Sequence, residues 1–407
     1  MLRSGAQHTT LVWTRREFVV SAGAAWAFAS LVDPSAASAA GEVAGRSIRV
    51  KLFSGSSIAR LEVSGLVPLS IAVGADRLSA ANAVFDAVAA TLTLDGRQAP
   101  INDPVVLIAS PAPFAVTSYT AGGQPLLRRY NGSLTVAMQA GAITVINYVD
   151  VDSYVASTLA SEISPGWHTE SIRAQAIAAR TYAIRAAAHA SARAYDLTDD
   201  TSSQVYRGLD GIAPTFSSAV AATSGQVLVA GAAPADVFYS SACGGHTAGS
   251  VELTGRAGPS YLNGVADDDA GGRAYCSAAP YFAWKNSIAR DAMARALGVP
   301  ADRLVGVDVS ERWPGGRVKR LRVSRTDAAD SDYDGRRFYV NVAEALGYKV
   351  LPSSMFDIVR DGEAFAVTGH GLGHGVGMCQ WGARGRADAG MPAAAILAAY
   401  FPGTRIA

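Results

Sequence analysis

Glu162 is the residue around which chemistry can be built. It follows Val155 by seven positions and Leu159 by three, so in a helix all three share one face. A carboxylate on an apolar face is out of place, because an unpaired glutamate normally stays in water. Desolvation there raises its pKa and favours the protonated form near neutrality, the state a general acid needs. The competing reading is a helix-end glutamate paired with Arg173 or Arg180. A second polar group lies at Thr201–Gly208, where Ser203, Gln204 and Tyr206 offer hydrogen bonds and an aromatic face to a hydroxyl-rich ligand. A surface turn would use the same residue types. His370 and His374 stand in a run with five glycines between Thr368 and Met378, which forbids a stable helix there. Without a neighbouring carboxylate they are a weak metal signal. The sequence contains no His-Glu-x-x-His helix, which argues against a zinc peptidase.

The elements that must hold Glu162 are two helices meeting at a corner. Asp152 or Ser153 is expected to cap the first. Pro165 and Gly166 end it at once. Thr169 is expected to cap the second, with Glu170 in its first turn and an alanine-rich body running to about Ala192. Ile172, Ala176, Ala179, Ala183 and Ala187 form a small-residue face, and Gln175 and Tyr182 place polar groups on one side. Ahead of the corner, strands are predicted at Ile48–Leu52, Leu61–Val63, Ala89–Leu94, Pro104–Ile108, Ser133–Met138 and Ile143–Ile146. Beyond it come a strand from Val237 into a glycine turn, a helix after Ile288, strands at Leu304–Val309 and Val318–Val323, and a helix at Met391–Tyr400.

The fold class is therefore α+β: a β-rich N-terminal module (residues 40–147), then a mixed α/β core (148–407) with a helix and strand segment at about 285–345. Residues 1–39 read as a twin-arginine signal peptide. Arg15 and Arg16 precede an apolar stretch from Val19 to Val32, and Ala37-Ser38-Ala39 suits cleavage. The stretch is short for a membrane span, which needs about 20 residues. Contact with a membrane is expected only if this segment stays uncleaved. The mature protein is expected to be exported already folded, to the periplasm or the extracellular cell wall. With 35 basic and 34 acidic residues the net charge is +1, which gives no broad basic surface for nucleic acid. Only 17% of residues are charged and 49% are hydrophobic, a folded rather than disordered composition.

Five separated motifs occur in one order from about Tyr130 to the C-terminus. They are Tyr154…Glu162-Ile163…Trp167 with Ala174-Gln175-Ala176…Ala179-Arg180-Thr181-Tyr182, then Ser203-Gln204-Val205-Tyr206-Arg207-Gly208, then Gly244-Gly245-His246-Thr247. The Gly369–Ala383 run and Tyr400-Phe401-Pro402-Gly403-Thr404 complete them. Together they resemble the sporulation protein D/amidase-enhancer family. The resemblance implies a peptidoglycan lytic transglycosylase acting on glycan strands stripped of stem peptides, with Glu162 as catalytic acid and no cofactor. It implies a substrate wall from Gln175, Tyr182, Ser203, Gln204 and Tyr206, completed by Ser241, His246, His370, His374 and Gln380. Ordinary glycosidases need two carboxylates. A lytic transglycosylase can work with one, because a hydroxyl of the substrate replaces water and closes a 1,6-anhydro ring. Asp199 and Asp200 are the other carboxylates to consider. The competing implication is a non-catalytic enhancer of a separate cell-wall amidase. Some relatives bind zinc through Cys and His just before the Gln-x-Tyr-x-Gly motif. Here the matching positions are Thr198, Ser202 and Ser203, so no metal is expected there.

Three cysteines remain. An exported protein meets an oxidising space, and the spacing of Cys243 and Cys276 makes no zinc knuckle. A Cys243–Cys276 disulfide is expected, with Cys379 a buried thiol. The alternative joins Cys243 and Cys276 with His246 as three metal ligands.

Overall fold

Period-two alternation of apolar and polar residues puts one face of each strand in the core, and it dominates the first third of the chain. The computed structural model describes residues 45–407 apart from 100, 102, 121, 140 and 191, so the expected signal peptide lies outside the described residues. Among them no helix is long and apolar enough to cross a membrane. Ten strands come first: β1 (Ser47–Leu52), β2 (Ile58–Val73), β3 (Asp76–Asp86), β4 (Thr91–Leu94), β5 (Arg97–Ala99), β6 (Val105–Ala109), β7 (Phe114–Thr120), β8 (Leu126–Tyr130), β9 (Ser133–Gln139) and β10 (Ala142–Asp150). With β11 (Leu197–Thr198) they make one sheet in the order β11-β1-β10-β9-β6-β2-β3-β4-β5, and β7 pairs with β2 and β8. Only β11 runs parallel to its neighbour β1.

The sequence pattern found six of these strands and missed β3, β5, β7 and β8. It also placed one strand too early. Ala89 and Ala90 are in a turn, because the Asp86 carboxylate accepts hydrogen bonds from the Val88 and Ala89 amides at 3.0 and 2.8 Å.

Helix α1 (Val151–Glu162) starts where β10 stops. Its cap is Asp150, whose carboxylate accepts from the Ser153 amide at 2.9 Å, so the strand's last residue takes the role expected of Asp152 or Ser153. Helix α2 (Thr169–His189) is capped by the His168 ring, which accepts from the Glu170 amide. It stops short of Ala192, because the Arg49 guanidinium claims the Ala190 and Arg193 carbonyls at 3.1 and 2.8 Å. Val151, Tyr154, Val155 and Leu159 of α1 pack in the same core as Ile48, Val145 and Val149 of the sheet. The strands and the helices that follow thus share one interior, which α3 (Pro214–Ala222) also enters through Phe216, Ala219 and Val220.

The other face of α2 builds a second core through Ala174, Ile177 and Ala178. Around it lie β12 (Leu228–Ala230), β13 (Ala233–Pro234), β14 (Tyr239–Ser240) and α4 (Ser250–Thr254). A third core belongs to β15 (Ala283–Ala289), α5 (Arg290–Leu297), β16 (Leu304–Arg312), β17 (Val318–Arg325), β18 (Ser331–Asp334), α6 (Gly335–Leu346), β19 (Phe356–Asp361) and β20 (Ala364–His370). The chain then returns to the second core with β21 (Met378–Cys379), α7 (Gln380–Asp388), α8 (Ala393–Tyr400) and β22 (Arg405–Ile406). The architecture is α+β, with α2 and its small-residue faces between the first two cores.

Candidate functional site

Glu162 is the last residue of α1 and is half-buried. Neither arginine proposed as its partner takes that role. Arg173 pairs with Glu170 at 2.6 Å, and the fully buried Arg180 pairs with Asp152 at 2.8 Å. The remaining guanidinium nitrogens of Arg180 donate to the Val220 and Gln226 carbonyls. That arginine therefore locks the first turn of α1 to α2 and α3. Loss of Asp152 would strand the buried Arg180 charge, a defect of about 3–5 kcal/mol.

The other end of α1 is held by Gln380, whose Nε2 donates to Glu162 Oε2 at 3.0 Å. Burial pushes the Glu162 pKa up, and the Gln380 hydrogen bond opposes this by favouring the charged form. Gln380 opens α7, and it reaches Glu162 because β21 lies parallel to β14, with Tyr239 opposite Met378 and Ser240 opposite Cys379. Gly377 makes that approach possible. Its φ is +75°, and a side chain there would collide with the Phe238 carbonyl.

The β14 register brings Tyr239 into the site, a residue that sequence reasoning missed. Its hydroxyl accepts from Gln204 Nε2 at 2.6 Å. Burial, and then the negative charge of Glu162, raise its pKa well above the ordinary tyrosine range. Tyr182 lies nearby on α2, pushed up to about 12 by burial against a hydrogen bond with Ser203. Glu162 with Gln380, Tyr239 with Gln204, and Tyr182 with Ser203 thus form three hydrogen-bonded pairs, and the charges of Glu162 and Tyr182 act on Tyr239.

A second missed feature is aromatic. Trp167, just past the α1 break, and Trp381, next to Gln380, meet with ring centroids 5.2 Å apart at 62°. The Arg384 guanidinium lies over both rings, 5.6 and 4.9 Å from the centroids. All three are half-exposed. The signal was available, since both tryptophans adjoin a polar site residue or a helix break.

Other expected wall residues play different parts. Tyr206 is buried, stacked on Tyr154 at 5.2 Å, and its hydroxyl donates to Asn147 at 2.7 Å, so it supports the site from behind and cannot face substrate. Gln175 is buried within α2 at 1% exposure, also behind the surface. Ser241 contributes its backbone carbonyl to the Trp381 amide at 3.0 Å. His374 accepts from the Val376 amide through Nδ1 at 3.0 Å, and burial followed by the Arg317 charge lowers its pKa to about 4. It is thus a neutral ring bonded to the Tyr239 backbone. His370 and His246 stand elsewhere. His370 is exposed at the end of β20, with Nδ1 near the Phe282 carbonyl at 3.0 Å. His246 bonds the Thr247 carbonyl at 2.7 Å and packs on Gly315.

The alternative carboxylates are committed to structure. Asp199 accepts from the Phe53 and Ser54 amides and from Arg128 at 2.7–2.9 Å. Asp200 accepts from Thr198 and Ser202. The Thr198, Ser202 and Ser203 hydroxyls bond one another, so polar side chains fill that place.

The cysteines do not divide as a bridge plus a lone thiol. All three are buried free thiols in one cluster with Asp267. Cys243 and Cys276 are neighbours, Sγ to Sγ 3.7 Å, but Cys379 stands with them, and His246 is not among them.

Comparison with known proteins points to the same family. A family model described as stage II sporulation protein, SpoIID, matches residues 139–229, which carry α1, α2 and the Gln204 loop. The chain is 31% identical to an uncharacterized protein of Brachyspira hyodysenteriae, over 68% of this chain and 72% of that one. It is 27% identical to stage II sporulation protein D of Bacillus subtilis, over 64% of this chain and 75% of that protein. Against the amidase enhancer of the same organism it is 25% identical over 60% of its length, and the match spans 39% of that longer protein. With the motifs in order and a relative of this identity over two thirds of its length, the chain belongs to the stage II sporulation protein D family.

Proposed function

We propose that the protein is an exported peptidoglycan lytic transglycosylase that cleaves peptide-stripped glycan strands, with Glu162 as the single acid and base. The observation that carries this reading is the state of Glu162, a carboxylate at a helix end whose pKa burial raises and which Gln380 alone holds among the described residues. Glu162 delivers its proton to the glycosidic oxygen as the C1–O bond breaks. The C6 hydroxyl of the same muramoyl unit then attacks C1 and returns its proton to Glu162, leaving a 1,6-anhydro end and consuming no water. Tyr239, hydrogen-bonded to Gln204 beside Glu162, supplies a neutral hydroxyl for the sugar. The Trp167–Trp381 pair supplies apolar faces on which a pyranose ring can stack.

The test is digestion of purified, peptide-free glycan strands with mass analysis of the products. Anhydro-sugar ends from wild type, absent with Glu162→Gln, are expected. A relative named for enhancing an amidase gives the second reading, in which the protein acts on a cell-wall hydrolase. Intact strands, together with stimulation of an added amidase by both wild type and Glu162→Gln, would favour that reading.

A further inference from the structure

The Cys243, Cys276, Cys379 and Asp267 cluster has no part in the chemistry proposed above. One donor atom from each residue lies within 4.8 Å of the others, and all four residues are buried. We infer that these four side chains bind one zinc ion, which fixes the return of the C-terminal segment beneath the Glu162 site.

The distances suit a metal better than a bridge. Cys243 Sγ and Cys276 Sγ are 3.7 Å apart. Two sulfurs on a tetrahedral zinc, with Zn–S of about 2.3 Å, are separated by about 3.8 Å, whereas a disulfide needs about 2.05 Å. A bridge would also leave Cys379 unused, although the Cys243 amide donates to its sulfur at 3.1 Å.

Backbone amides point at two of the sulfurs. Cys379 Sγ also accepts from the Gly382 amide at 3.3 Å, and Cys243 Sγ accepts from the Gly245 amide at 3.4 Å. Amide donors stabilise the deprotonated sulfur that a metal requires. The two oxygens of Asp267 are used differently. Oδ1 takes the Tyr400 hydroxyl at 2.6 Å and the Arg386 guanidinium at 3.1 Å, while Oδ2 faces Cys243 Sγ at 3.1 Å. That is an outer layer orienting a ligand whose other oxygen points at the cation.

Charge is offset as well. Zinc with three thiolates and one carboxylate carries a net charge of −2. Arg386 lies on Asp267, and the buried Arg317 donates to the Cys243 carbonyl at 3.0 Å. These two guanidinium charges oppose that of the cluster, as a buried charged site needs, although Arg317 also faces the Glu252 carboxylate. Four protein donors leave no open position, so the ion is structural. Its purpose is legible in Cys379, which caps α7 directly before Gln380. The ion would anchor the residue next to the one that holds Glu162.

The experiment is metal analysis of the full chain, purified after export and also after cytoplasmic expression in zinc-supplemented medium, with peptide mapping of the unreduced protein. About one zinc per chain is expected, together with free Cys243 and Cys276 once the ion is removed by denaturation and chelation. His246→Ala retains the zinc and Cys276→Ser loses it, while Arg386→Gln weakens zinc affinity by about 10–100-fold. Wild-type protein without zinc in both preparations, or a linked Cys243–Cys276 peptide pair, overturns the inference even if the cysteine variants fail to fold. Glycan cleavage is not the readout, so this test stands apart from that of the proposed activity.

Discussion

Two carboxylates meet the short Cys379–Gln380 stretch, the half-buried Glu162 through Gln380 and the buried Asp267 beside Cys379, and they differ in how they are compensated. Burial raises the pKa of both. Asp267 is answered by Tyr400, Arg386 and the Cys243 thiol, and it is fully enclosed. Glu162 receives one amide hydrogen bond from Gln380 and stays half-open beside two tryptophans. A carboxylate with all its partners is a piece of scaffold, because its ionised form is paid for by neighbours that do not move. One left with a single neutral donor sits close to its proton, and this is what general acid–base work needs.

The strongest way to break this contrast is to remove Asp267. Asp267→Ala strands the Arg386 charge and should lower stability by about 3–5 kcal/mol, read from urea unfolding. A loss below about 1 kcal/mol, the range of an exposed pair, would show that the site is not enclosed in solution.

Glu162→Gln should do the reverse. Cleavage falls by at least about 100-fold, while stability holds. Because the folded pKa of Glu162 is raised, its contribution to stability is complete below the unfolded-state value and is lost as pH rises through the folded one. The variant should lack that loss and unfold no earlier than wild type at neutral pH, which a thermal melt across pH checks.

Gln380→Ala sharpens the comparison further. Removing a donor that favours the carboxylate raises the Glu162 pKa again, so the alkaline fall in the cleavage rate should move to higher pH. Loss of positioning should cost about 1 kcal/mol, or about fivefold in rate. An unmoved alkaline limb would detach Gln380 from the acid. Trp381→Ala is the fourth and leaves the chemical step alone. It should weaken glycan binding by about 0.5–1.5 kcal/mol, the scale of one aromatic contact, and appear in KM with kcat nearly unchanged.

Much of this was legible in the chain. Periodicity alone put Glu162 on the inner face of α1, because helix geometry depends on local spacing. Pro165-Gly166 marked the corner, and the glycine run from Gly369 to Gly377 excluded a helix before β21. The α+β class followed from the same local rules. What only the tertiary structure decided are contacts between segments far apart in sequence. Gln380 reaches Glu162 across 218 positions, and Tyr239 enters the site through a two-residue pairing of β14 with β21. Tyr206 looked like a substrate contact because its loop is polar, yet its ring packs against Tyr154 in a shared core. The cysteines show the limit most plainly. Export to an oxidising space suggested a pair, but Cys379 joins them only because β21 lies beside β14, and no local pattern encodes which distant strand a two-residue strand will find.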